Sequence, residues 1–240
     1  RADRDDYQDA VRMGKESVTL ALAYRLSGND LYAMKVVNNI VTWAIKMETR
    51  ITPGFTNSQS HIELSVSHIG IFYAIDLLKD YAGWDGNEYT QTIDWVRRWS
   101  HSAEQWSASN NIEDWRIAFR LAANALIAND KGFARASKEF KSRIGDIVGD
   151  NGEMIKELGR SNSLTYSLFA INAMMESAEI AHQQGVDLYF YKDERGVGLE
   201  DVLDFYAVYL LRCEEQIWPY PQMAVLEKKD VANYINWLKL

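Results

Sequence analysis

Between positions 32 and 45 the apolar residues Ala33, Val36, Val37, Ile40, Val41 and Ala44 return every three or four places. That spacing predicts a helix with one buried face. The same period governs Asn111 to Ala128, through Ile112, Trp115, Ala118, Phe119 and Ala122, and again Ser163 to His182. Gly185 follows the last of these and is expected as its C-terminal cap. Weaker helical patterns fall near 6–27, 60–80, 89–106, 131–148 and 199–215. Only three prolines (Pro53, Pro219, Pro221) interrupt the chain, and few stretches alternate with period two. The pattern therefore predicts an all-α protein.

An internal echo adds organisation. The segment Ala21 to Ala33 parallels Ala123 to Ala134, each a helix end, an Asn-Asp turn able to cap the next helix, and an aromatic-Ala start. Helical hairpins repeated in this way must bury their apolar faces on their neighbours, which builds a solenoid or a toroid. The loops at one end of such a ring form a natural cleft. No stretch rich in Pro, Gly or Ser divides the chain, so residues 1–240 are expected to form one domain.

Composition narrows the functional classes. A length of 240 residues, 47% apolar and 25% charged, suits a globular protein with a substantial core. The net charge of −8 argues against nucleic acid, which calls for a basic stripe. An anionic partner still fits, because the potential inside a cleft can differ in sign from the net charge. Cys213 is the only cysteine, so no internal disulfide forms. No apolar run approaches the ~20 residues of a membrane span. The charged opening Arg1-Ala2-Asp3-Arg4 implies that any signal peptide has been removed or was never included.

Three stretches carry chemistry beyond what a packed core requires. They are Trp106 to Trp115 with the pair Asn110-Asn111, Glu157 to Ser167 with Arg160 and Tyr166, and Trp218-Pro219-Tyr220-Pro221-Gln222. Asn110-Asn111 stands where a helix cap is expected, yet two amides exceed the needs of one cap. Arg116 lies three residues after Glu113, so a surface ion pair is its default; Arg120 shares its face. A cation beside a phenol makes the hydroxyl a usable acid or base, which gives Arg160 and Tyr166 a catalytic reading next to an ordinary packing one. His61 and His68 share a helix face two turns apart, too far for the His-Glu-x-x-His zinc pattern, and no other metal motif occurs. Gln59 precedes His61 in a polar helix start.

Taken together, these segments resemble the alginate-lyase-domain family of polysaccharide lyases. Thr49-Arg50-Ile51-Thr52-Pro53 leading to Gln59 is similar to one family segment, and Asn110 to Trp115 to a second. Glu157 to Arg160 with Tyr166-Ser167-Leu168-Phe169, and Trp218 to Gln222, complete the family's order. The resemblance implies an incomplete (α/α) toroid and β-elimination of a uronate polymer such as alginate or glucuronan, without a cofactor. It implies an anionic polysaccharide as partner and a periplasmic or secreted location; it leaves the oligomeric state open. Asn111 and Arg160 take the role of neutralising the C5 carboxylate, and Tyr166 that of the acid. Gln59, Asn110, Arg116, Trp106, Tyr220 and Gln222 are the implied substrate-binding residues.

One position departs from the family. Ile112 stands where alginate-specific members carry a histidine. Either Tyr166 serves as base and acid on a mannuronate, or His61 or His68 serves as base; the place of Gln59 and His61 in a family cleft segment favours a histidine. Two other classes compete. A glycoside hydrolase on the same scaffold would need two carboxylates, for which Glu63 and Asp114 are available. A non-catalytic sugar-binding repeat would account for Ile112.

Overall fold

The computed structural model describes residues 5–46, 58–211 and 217–224. Among them the backbone forms α1 (Asp5–Ser27), α2 (Asp30–Ala44), α3 (Ser58–Leu77), α4 (Gly86–Glu104), α5 (Asn111–Leu126), α6 (Asp130–Ile147), α7 (Ser163–Gln183) and α8 (Leu199–Leu211). Extended pairing among the described residues is limited to isolated bridges: Val148 with Met154, Asn162 with Gln222, and Lys192 with Gly198. The all-α expectation holds, and every predicted helical segment corresponds to a helix. No described helix is long and apolar enough to cross a membrane.

The chain groups into two compact units. Residues 1–107 and 119–133 form the first, residues 108–118 and 134–240 the second. In the first unit, α1 lies directly on α3 at two glycines. A Cβ on Gly14 would sit 2.4 Å from the Ser67 carbonyl oxygen, and one on Gly70 would sit 2.8 Å from that of Gly14. Only hydrogen at both positions permits this approach. All six apolar residues that defined the α2 pattern are buried. Trp95 and Trp99 of α4 pack edge to face, and Phe72 of α3 sits 5.1 Å from Phe119 of α5.

The echoed Asn-Asp turns share one construction. Asn29 Oδ1 accepts from Leu31 N at the start of α2, and Asn129 Oδ1 accepts from Gly132 N at the start of α6. The preceding residue takes a left-handed backbone in each, Gly28 at φ 68° and Ala128 at φ 52°. Glycine adopts that conformation freely, whereas alanine bears roughly 1–2 kcal/mol of strain.

In the second unit, α7 is buried from Ser163 through Ala181 on several faces. It ends as predicted at Gly185 (φ 74°). Val186 N donates to Ala181 O and Gly185 N to His182 O, the paired bonds of a Schellman motif. Residues 217–224 run back as a strap to the start of α7. Trp218 of the strap packs among Phe205, Tyr206 and Tyr209 of α8.

Candidate active site

The site in the second unit begins with a helix cap. Asn110 Oδ1 accepts from Ile112 N at 3.2 Å, and its carbonyl accepts from Glu113 N at 2.8 Å. Asn110 is thus the N-cap of α5, which makes Asn111 the first helical residue. That cap aims Asn111 at a buried carboxylate. Asn111 N and Nδ2 both donate to Glu157 Oε1, at 2.8 and 3.1 Å. The other Glu157 oxygen receives Arg160 Nη1 at 3.3 Å. A carboxylate only 1% exposed is costly unless its oxygens are hydrogen-bonded, and this one holds three donors.

Arg160 turns its guanidinium onto the ring of Tyr166, with Cζ 3.5 Å from the ring centroid. Tyr166 lies in the first turn of α7, and both side chains are partly exposed. Asn111, Glu157, Arg160 and Tyr166 therefore form one connected chain of contacts. The partly exposed guanidinium and phenol can bind a carboxylate and move a proton beside it, and Asn111, 3% exposed, is tied to them through Glu157. Sequence reasoning named the first, third and fourth of these residues. It missed Glu157 as their hub, although a Glu three places before Arg160 in the family-like segment was a usable signal.

A second layer fixes the loop before α5. Arg143 of α6 donates to Asp114 Oδ1 at 2.9 Å and to the carbonyls of Ser109 and Asn110 at 3.3 and 3.2 Å. Burial pushes the Asp114 carboxyl up to about 6, against the pull of the Arg143 guanidinium. Asp114 is thereby committed to holding the loop and does not face solvent, which removes one of the two carboxylates a hydrolase would need.

The structure revises other assignments. Arg116, expected in a surface ion pair and as a substrate contact, is 4% exposed and held by Glu113 and by Glu139 of α6. Glu113 and Glu139 lie in the second unit with Arg116, so this pairing is an internal brace. Gln222, expected at substrate, is occupied at the start of α7. Its Oε1 accepts from Leu164 N and Thr165 N, and its Nε2 donates to Thr165 Oγ1 at 2.9 Å. Tyr220 is half-buried and packs 5.1 Å from Trp218.

The remaining candidates belong to the first unit. Gln59 is exposed and donates to Glu63 at 2.6 Å. His61 is 1% exposed, with Trp106 stacked on it at a centroid distance of 3.3 Å. Thr49 to Pro53 lies outside the described residues. His68 is fully enclosed by Phe72, Trp95, Trp99 and Phe119, its Nδ1 3.0 Å from Ser67 Oγ. The reading of His68 as a base is corrected accordingly: a base must reach its substrate, and this ring is core.

That enclosure has a measurable consequence. Burial lowers the His68 pKa from 6.5 to about 4, so the fold holds the neutral ring. Below pH 6.5 the unfolded chain binds a proton that the folded chain refuses, and stability is lost as pH falls toward 4. Urea unfolding of wild type and His68→Leu at pH 7 and pH 4 should show their stability difference moving by about 3 kcal/mol in favour of the variant at pH 4. A difference independent of pH would contradict a neutral, buried His68.

Comparisons with known proteins add a second line of support. The family model described as alginate lyase matches residues 1–218. Comparison with curated proteins gives no match. Among solved structures, an alginate lyase from Bacteroides ovatus superposes with a TM-score of 0.84 at 21% identity, covering 98% of this chain and 68% of that one. Alginate lyase A1-III from Sphingomonas species A1 gives 0.79 at 21%, covering 97% and 67%. A tyrosine-to-phenylalanine variant of A1-III complexed with tetrasaccharide gives 0.76 at 21%, covering 88% and 60%. These likenesses establish a shared fold.

Proposed function

Because the chain belongs to the alginate lyase family and is a polysaccharide lyase, we propose that it cleaves mannuronate-containing polymers by β-elimination at Asn111, Arg160 and Tyr166, with residues 1–240 acting as one catalytic domain. The carrying observation is the chain of contacts from Asn111 through Glu157 to Arg160, and from Arg160 onto the Tyr166 ring. The hydrogen on C5 of a uronate is a weak acid until the charge that develops on the neighbouring carboxylate is stabilised. Arg160 and the second Asn111 N–H supply that stabilisation from fixed positions. Glu157 holds both without touching substrate.

The proton then follows one path. Tyr166, as phenolate, takes the proton from C5, and the C5 electron pair enters the enediolate. As C4=C5 forms, the C4–O bond breaks, and the same tyrosine returns the proton to the departing oxygen. The products are an unsaturated uronate end and a new chain end, with Tyr166 restored. This single-residue route needs the C5 hydrogen and the C4 oxygen on one side of the ring, as in mannuronate. It is preferred to a histidine base because position 112 is isoleucine, His68 is enclosed, and Trp106 covers His61. A periplasmic or secreted location suits a polysaccharide substrate.

A panel of polymannuronate, polyguluronate and glucuronan tests the proposal. The expected result is growth of the ultraviolet absorbance of the unsaturated uronate, fastest on polymannuronate. New reducing ends without that absorbance would indicate hydrolysis, and binding without either would indicate a sugar-binding protein; each outcome contradicts the proposal.

A further inference from the structure

We propose that Gln222 is a positioning residue for Tyr166, acting as the N-terminal cap of α7 from a strap 57 residues further along the chain. The inference rests on the lyase reading of Tyr166 and extends it. Every helix leaves its first amides without partners inside the helix, and a side chain at the residue before the helix ordinarily accepts from one or two of them. In α7 that residue is Asn162, and its side chain makes no capping bond. Its Oδ1 instead accepts from Ala224 N of the strap at 2.8 Å.

The strap supplies what Asn162 does not. Ser163 N donates to Pro221 O at 2.9 Å, and Leu164 N and Thr165 N donate to Gln222 Oε1 at 3.1 and 3.4 Å. Three successive amides are thus satisfied by two adjacent strap residues. The fourth, Tyr166 N, donates to Asn162 O at 3.0 Å and is the first within the helix ladder. Further bonds fix the strap in register: Met223 N to Ser161 O, Trp218 Nε1 to Ser163 Oγ, and Ser163 Oγ to Pro221 O. Trp218 is in turn seated on α8.

Tyr166 stands one residue beyond this capped turn, so the cap sets where its ring meets Arg160. Without the cap the first turn frays, and the phenol no longer holds a fixed place against a bound sugar. Proximity terms are steep: a misplacement of about 1 Å at a reacting group costs up to ~10²-fold in rate. Substrate affinity depends on Arg160 and Asn111, which the cap does not hold. The cap should therefore act on kcat and leave KM alone.

The test compares Gln222→Leu, which removes the acceptor at nearly the same size, with Gln222→Glu, which loses the Nε2 donations to Thr165 Oγ1 and Ala224 O but keeps an acceptor oxygen and adds negative charge favourable at a helix N-terminus. On polymannuronate, Gln222→Leu should lower kcat about 10- to 10²-fold with KM within about two-fold of wild type, while Gln222→Glu stays within a few-fold of wild type. Hydrogen exchange over residues 162–167 should quicken in Gln222→Leu and not in Gln222→Glu. That readout needs no turnover, so it tests the cap even if the wild type proves inactive and the lyase reading falls. Unchanged exchange in Gln222→Leu overturns the inference. A raised KM with retained kcat also overturns it, and assigns Gln222 to substrate instead. Failure of Gln222→Glu to restore kcat overturns it as well.

Discussion

Tyr166→Phe is expected to lower turnover on polymannuronate by roughly 10²–10⁴-fold, the range that a general acid–base group contributes. The substitution removes one hydroxyl from a half-buried ring and leaves the stacking surface for Arg160 in place. Folding should be unaffected, as thermal unfolding will show. If one group serves as base and then as acid, as proposed, no second residue can rescue the reaction, and KM should change little. Initial rates from the ultraviolet absorbance of the product check this directly. A variant retaining more than a tenth of wild-type kcat would remove Tyr166 from the mechanism.

Arg160→Ala is expected to affect both binding and rate. In the proposed mechanism the guanidinium meets the sugar carboxylate, and loss of one such donor costs about 10²–10³-fold in kcat. KM should rise as well, since the same charge attracts the ground-state polymer. The variant also removes one of the three donors to Glu157, leaving that carboxylate with Asn111 alone. Arg160→Lys should recover part of the binding and little of the rate, because an ammonium restores the charge without the planar stack on Tyr166. Equal recovery of both by lysine would mean that charge alone matters at this position.

The helices were readable because burial and the 3.6-residue period are the same fact seen twice. The apolar positions of α2 are its buried positions, and Gly185 takes the left-handed conformation that ends α7. What periodicity cannot supply is which other element covers a face. His61 and His68 were correctly placed on one side of a helix, yet the aromatic residues that cover them come from α4, from Phe119 of α5 and from the loop at Trp106. Arg116 looked like half of a surface pair until Glu139, 23 residues later, enclosed it.

The site shows the same division. No spacing rule links Asn111 to Arg160; their association came from the family resemblance, and Glu157 supplies the physical link between them. The spacing of Glu157 three residues before Arg160 signals their ion pair, but nothing local signals that the same carboxylate also accepts from Asn111, 46 residues earlier. The capping role of Gln222 was hidden for a related reason. The family resemblance implied a substrate contact for it, whereas in the structure its Oε1 accepts from amides at the start of a distant helix.

A crystal structure of the Tyr166→Phe protein with a mannuronate oligosaccharide tests the account most directly. The prediction is a sugar whose C5 carboxylate lies within hydrogen-bond distance of Arg160 and of Asn111 Nδ2, with the ring of residue 166 facing C4 and C5 of that sugar from one side. An oligosaccharide bound elsewhere, or one whose carboxylate turns away from Arg160 and Asn111, would contradict it.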